Sequence, residues 1–259
     1  MWSSEVHDTL RIYVARCGPE PRAVLVVTDG NGLFGLAVST VGLMQLPRLV
    51  PSLLVVGIGY PSAHMLADTV ALRNRDLTPT ASAAFAGSGG ADAFLRFIRA
   101  ELTPWVERHH LGGPAESIYF GHSLGGLFGT YVMLSEPSSF DHYIIGSPSL
   151  WWDHYWIFDY EAEQALRRSD LAAKVFVGIG GDETDEGRRR EGRGLPDGHP
   201  LKPVRTHLDM VADLGRFNRA LRGRHYPTLE LADAVFPGEF HVTVPGTVLT
   251  HGLRQVFNT

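Results

Sequence analysis

Ser117-Ile118-Tyr119-Phe120-Gly121-His122-Ser123-Leu124-Gly125-Gly126 runs from an apolar strand into a helix through a G-x-S-x-G corner. A serine at such a corner occupies a sharp, strained turn, where side chains on its neighbours would collide with the strand below and the helix above. Gly121, Gly125 and Gly126 remove those side chains. Ser123 is then raised at the start of a helix, Leu124 to Ser135, where backbone N–H groups outside the helical ladder favour developing negative charge. The Leu124 amide is one such donor. The alternative is a glycine-rich strand-to-helix turn in an inactive protein of the same architecture.

Upstream, Thr9 to Ala15 alternates as a strand. Ala23 to Val27 is apolar on both faces, as a buried parallel strand should be. Its exit, Thr28-Asp29-Gly30-Asn31-Gly32, belongs at the carboxyl end of the sheet, where open α/β sheets place their ligands. A helix over Val38 to Leu46 and a second apolar run, Ser52 to Gly59, complete a β-α-β unit. Residues 69–90 read as a long surface excursion. Ala91 to His110 carries an amphipathic stripe with Pro104 expected to bend or interrupt it.

Downstream, Tyr143 to Gly146, Lys174 to Ile179 and Thr228 to Val235 read as strands. Helices are expected around Glu161 to Arg168, over Val204 to Leu221 and over Val244 to Phe257. The loop 181–198, with Arg188-Arg189-Arg190, reads as solvated and partly disordered, or else as an anion-attracting cluster. The pattern predicts an α/β fold over residues 1–259: a mostly parallel central sheet with helices on both faces, in one domain.

With 259 residues, 44% of them hydrophobic, the chain can bury a substantial core. A formal net charge of −5 offers no excess of positive charge for a phosphate backbone, so a nucleic-acid partner is not expected. The one cysteine, Cys17, fits a reducing, cytoplasmic setting. No apolar run approaches the ~20 residues of a membrane span, and no export signal is expected. The histidines show no H-E-x-x-H spacing, so neither a metal nor another cofactor is expected.

A serine nucleophile needs a base, and His241 follows a late strand within Phe236-Pro237-Gly238-Glu239-Phe240-His241, just before the closing helix. An imidazole with a pKa near ~6.5 can take the serine proton and return it to a leaving alcohol. His122, His207, His225 and His251 lack that strand-to-loop location. The base needs an acid to fix its tautomer, and Asp182-Glu183-Thr184-Asp185-Glu186 offers four carboxylates after the strand Lys174 to Ile179. Glu183 is favoured, then Asp182. Asp153 is more remote, and the bland alternative leaves all four as solvated charges. The order Ser, acid, His is that of the α/β-hydrolase fold.

With these residues in place, the sequence resembles the esterase D-like group of esterases, which includes siderophore trilactone esterases and, more distantly, mycolyltransferases. The segments Thr28-Asp29-Gly30-Asn31, Arg73 to Thr80, Gly121 to Gly126, Ser147-Pro148-Ser149-Leu150-Trp151-Trp152 and Gly238-Glu239-Phe240-His241 carry the likeness. It implies an α/β-hydrolase acting on a small-molecule ester, with the backbone N–H of Asn31 as second oxyanion donor. Asn31 would then act through its backbone rather than its side-chain amide, and Asn31→Ala would be mild. The likeness also implies that Arg75, Asp76 and Trp152 lie near the substrate; a salt-bridged loop and ordinary aromatic packing are the alternatives. The expected activity is a serine carboxylesterase, with siderophore esters as a specialisation. An acyltransferase or thioesterase would use the same residues, and a noncatalytic binding protein would use only the scaffold. A monomer or homodimer is expected.

Overall fold

Seven strands form one sheet in the order β3-β5-β4-β6-β7-β8-β9, in a computed structural model that describes residues 1–61, 69–198, 202 and 208–258. The strands are β3 (Arg11–Cys17), β4 (Ala23–Val27), β5 (Leu53–Gly59), β6 (Glu116–His122), β7 (His142–Gly146), β8 (Lys174–Gly180) and β9 (Glu230–Phe236). Two short strands, β1 (Trp2–Ser3) and β2 (Asp8–Thr9), pair with each other at the start of the chain. Only β3 runs antiparallel to its neighbour in the large sheet; the other five pairings are parallel.

Burial follows this order. Every residue of β4, β5 and β7 is buried, which explains their unbroken apolar text, whereas the edge strands β3 and β9 are mostly half-exposed. Two apolar layers cover the sheet. Helix α1 (Gly30–Gln45) and the closing helix (Pro245–Phe257) pack Leu33, Val41, Val248 and Leu249 on one face. The helical stretch 91–111 and helices Leu124–Ser135, Trp152–Arg167 and Met210–Gly223 pack Phe94, Phe128, Ile157 and Phe217 on the other. The helices leaving β4 and β6 therefore go to opposite faces although these strands are neighbours. That makes a topological switch point, with a crevice at the strands' carboxyl ends.

Several expectations need correction. Helix α1 starts at Gly30, eight residues before the expected Val38, because Asp29 turns left-handed (φ 57°) and the glycines that read as loop form its first turn. A Cβ on Gly30 would lie 3.1 Å from the backbone of Gly57 and Ile58, so the close approach to β5 favours glycine. The excursion 69–90 contains a helix, Val70–Leu77. The interruption expected at Pro104 takes the form of widened turns just before it, with the Thr103 N–H donating to the Ile98 carbonyl, which accommodates the ring and the missing donor. The helix expected near Glu161 begins already at Trp152, through three left-handed residues, Asp153 to Tyr155. The segment 181–198 holds a helix, Asp185–Arg193, capped by Thr184, whose hydroxyl accepts from Gly187 N–H. The helix expected from Val204 is described as Met210–Gly223, with residues 203–207 outside the described residues.

The sheet leaves no room above Gly126, where a Cβ would sit 2.6 Å from the Gly146 carbonyl oxygen and 2.9 Å from Pro148 Cα. Gly126→Ala should therefore destabilise by about 1–3 kcal/mol in urea unfolding. Gly42→Ala, in helix α1 with nothing within 4 Å, should stabilise by up to about 1 kcal/mol. Equal stability of the two variants would contradict this packing.

Candidate active site

Ser123 stands between β6 and helix Leu124–Ser135 with φ 61° and ψ −116°, a strained conformation for a residue with a side chain. Backbone bonds hold it there: Ser123 N–H donates to Gly146 O at 2.9 Å, and Ser149 N–H donates to Ser123 O at 3.1 Å. From below, the buried Tyr119 hydroxyl donates to the Gly125 carbonyl at 2.6 Å. The first bond of the following helix is Leu127 N–H to Ser123 O, so the Leu124 amide lies ahead of the ladder. The Ser123 hydroxyl is 3.3 Å from that of Ser149, and no hydrogen bond joins it to the His241 ring.

His241 Nδ1 lies 2.6 Å from Glu183 Oε2. The two loops that carry them are laced together, Gly181 N–H to Phe236 O at 2.7 Å and Asp182 N–H to Glu239 O at 3.1 Å, which fixes the pair before any ligand arrives. The Glu183 side chain is buried and every neighbour donates to it: Ser147 Oγ at 2.5 Å and Gly180 N–H at 3.0 Å on Oε1, Arg188 at 3.0 Å on Oε2. Burial opposes the charge, but the His241 ring, its hydrogen bond and the Ser147 hydroxyl outweigh it and hold the carboxyl down at about 2. His122, beside Ser123, is buried with its ring centroid 4.5 Å from that of His241. Burial first, then the neighbouring His241, push its protonation down to about 3, so His122 is a neutral spacer.

The exit of β4 reaches the same place. Thr28 N–H donates to Phe120 O at 3.2 Å, and a Cβ on Gly125 would meet Thr28 Oγ1 at 2.5 Å. Asn31 follows in the first turn of α1. Its side chain is engaged: Oδ1 accepts from Tyr60 N–H at 2.8 Å, and Nδ2 donates to Tyr60 O at 3.1 Å. Asp29, at the left-handed residue before α1, is gripped through both carboxylate oxygens by Arg73, at 2.5 and 2.9 Å.

The other expected site residues are held by partners outside the serine, histidine and glutamate. Arg75 is bonded to Asp76 at 2.7 and 3.0 Å and to Asp8 at 2.7 Å, the salt-bridged alternative, and neither Arg75 nor Asp76 bonds to Ser123, His241 or Glu183. Trp152 is buried, stacked on Phe85, and its Nε1 donates to Thr80 at 3.1 Å. Asp182 pairs with Arg190, and Asp153 lies in the left-handed run. The arginine cluster is divided: Arg188 is buried on Glu183, whereas Arg189 and Arg190 are exposed. Arg73, Ser147, Ser149 and Arg188 were missed. For Arg188, the signal was Thr184 followed by Asp185-Glu186, a helix start that places Gly187, Arg188 and Gly192 on a buried face. Among the described residues, no cluster of His, Cys, Asp or Glu has the makings of a metal site, and no helix is long and apolar enough to cross a membrane. A cavity of about 310 Å³ lies at the other end of the sheet, lined by His142, Lys174, Glu230 and Asn258, with none of these groups in it.

Two measurements check this geometry. His122 titrates near ~6.5 when unfolded and near about 3 when folded, so its contribution is complete above the unfolded value and is lost as pH falls from ~6.5 towards 3. Glu183 adds its own loss only below ~4.3, as pH falls towards about 2. In urea unfolding between pH 7 and 4.5, His122→Asn should lose stability less steeply than the wild type; parallel curves would contradict the buried neutral ring. Asn31→Ala should destabilise by about 1–3 kcal/mol, since Tyr60 N–H loses its acceptor. An unchanged unfolding midpoint would show that bond to be dispensable.

Known proteins share this arrangement of chain. Residues 19–202 match the family described as "Putative esterase". The ferri-bacillibactin esterase BesA of Bacillus subtilis is 34% identical over 171 residues, 59% of this chain and 58% of that protein. A siderophore triacetylfusarinine C esterase of Aspergillus fumigatus is 37% identical over 138 residues, 52% of this chain and 47% of that protein. The matches thus span about half the length of these curated relatives. The solved siderophore hydrolase EstB of Aspergillus nidulans superposes with a TM-score of 0.82 at 25% identity, over 99% of this chain and 93% of that one. The match covers well over half of the residues, so this chain belongs to the "Putative esterase" family and has the α/β-hydrolase fold.

Proposed function

We propose that this chain is a serine hydrolase that cleaves a carboxylic ester through an acyl-enzyme on Ser123. The observation that carries the reading is the His241–Glu183 pair, 2.6 Å apart and laced by its loops to a place beside the strained Ser123 corner. With Nδ1 facing Glu183, the other ring nitrogen, Nε2, takes the Ser123 proton as Oγ attacks the ester carbonyl. Reaching the ring requires the hydroxyl to leave Ser149; such catalytic bonds often tighten only when substrate is present. The amides of Leu124 and Asn31 receive the oxyanion. Imidazolium returns the proton to the leaving alcohol, and water activated by the same ring releases the acid.

The substrate proposed is a siderophore ester or a related small acyl or aryl ester. Support comes from the named activities of BesA, the triacetylfusarinine C esterase and EstB, which are siderophore esterases or hydrolases. Trp152 and the adjoining excursion, with Phe85 stacked on it, are proposed as a wall near the substrate rather than as polar contacts. Arg75 and Asp76 would brace that wall from behind through Asp8.

The test is hydrolysis of a panel of p-nitrophenyl esters, aryl esters and trilactones by purified protein. Ser123→Ala should lower kcat by about 10³-fold or more with the protein still folded. Hydrolysis undiminished in Ser123→Ala would overturn the reading. A preference for simple acyl esters over every trilactone would overturn the siderophore specialisation alone.

A further inference from the structure

Arg188 is held with 4% of its side chain exposed against Glu183, of which 1% is exposed, and its Nη2 shares a single oxygen, Oε2, with the His241 ring. Resting on the esterase reading, we propose that Arg188 is a positioning residue that serves as counter-ion to Glu183 while the base is neutral, and so lets the His241 ring give up its proton at lower pH than a Glu–His pair alone would.

The need for it follows from the charges. To accept the serine proton, His241 must rest neutral, yet a buried carboxylate surrounded only by neutral donors would be an uncompensated charge. Ser147 and Gly180 supply neutral donors on Oε1, and Arg188 supplies the cation on Oε2. When the imidazolium forms, one carboxylate faces two cations on the same oxygen, and the imidazolium gains less than it would from an undivided anion.

Groups on other elements leave this balance in place. His122 faces the ring as a buried neutral group, and Arg73 beyond it is committed to Asp29. Asp182 and Asp185 are engaged by Arg190 and Arg189, and Glu239 bonds to Thr243 and Thr247. Met210, whose N–H donates to the Glu183 carbonyl at 3.0 Å, packs its sulfur 2.6 Å from Arg188 and walls the pair off. The helix Asp185–Arg193 thereby delivers its one buried arginine to the acid.

The test compares Arg188→Gln and Arg188→Met, which remove the charge, with Arg188→Lys, which keeps it. In the folded proteins, the pH at which the NMR signals of the His241 ring titrate should rise by roughly one unit in the Gln and Met variants and stay within a third of a unit in the Lys variant. The acid limb of kcat/KM should move with it, so that activity on that limb falls about tenfold while the alkaline plateau changes far less. A folded Gln or Met variant whose ring titrates at the wild-type pH overturns the proposal. Should both unfold, a shifted ring in Arg188→Lys overturns it instead. The ring titration needs no turnover, so it judges Arg188 even if Ser123→Ala were to leave hydrolysis intact and the esterase reading failed.

Discussion

At Ser123 the chain passes from strand to helix with φ 61°, and backbone and side chains of the neighbouring strands close on the corner. Left alone, such a residue costs of order 1–3 kcal/mol, so it persists only where the environment over-determines it. Here Gly146 and Ser149 hold its backbone, Tyr119 props the Gly125 carbonyl, and Thr28 presses against Gly125. Neighbouring strands β4 and β6 send their helices to opposite faces of the sheet, and the crevice this opens is where the corner and the Asp29–Asn31 turn meet. The strain at one residue and the order of the strands are two views of the same constraint.

Electrostatics completes what the backbone begins. A buried carboxylate is expensive unless each lone pair finds a donor, and Glu183 finds four: a ring, a hydroxyl, an amide and a guanidinium. Two of the donors, Ser147 and His241, come from distant stretches of chain, so the carboxylate ties its own loop to the exits of β7 and β9 as much as it orients the imidazole. Asp29 and Arg73 form a second buried pair across the crevice, stiffening the turn from which Asn31 projects. His122 fills the space between, neutral because burial forbids its charge.

How much of this was legible in the sequence follows from which forces are local. Strands buried on both faces must be apolar throughout, so β4, β5 and β8 were readable almost to the residue. The serine corner and the histidine after the last strand were readable from glycine sterics and order along the chain, and Glu183, preferred to Asp182, is the carboxylate that lies 2.6 Å from the ring. What stayed hidden depends on contacts between distant segments. Gly30-Asn31-Gly32 reads as loop because its helical state rests on packing against β5. Nothing local separates Arg73 from Arg75, yet one grips Asp29 and the other Asp76. Likewise Arg188 and its two arginine neighbours look alike until the helix turns one of them inward.

The central claim is that one hydroxyl, one imidazole and two backbone amides converge on a reacting carbonyl. Its most direct measurement is the crystal structure of the protein after reaction with a fluorophosphonate. The account predicts phosphorus bonded to Ser123 Oγ, the phosphoryl oxygen within hydrogen-bond reach of the Leu124 and Asn31 N–H groups, and His241 Nε2 turned towards the adduct. A folded protein that takes no label at Ser123, or an adduct whose oxygen points away from both amides, would contradict it.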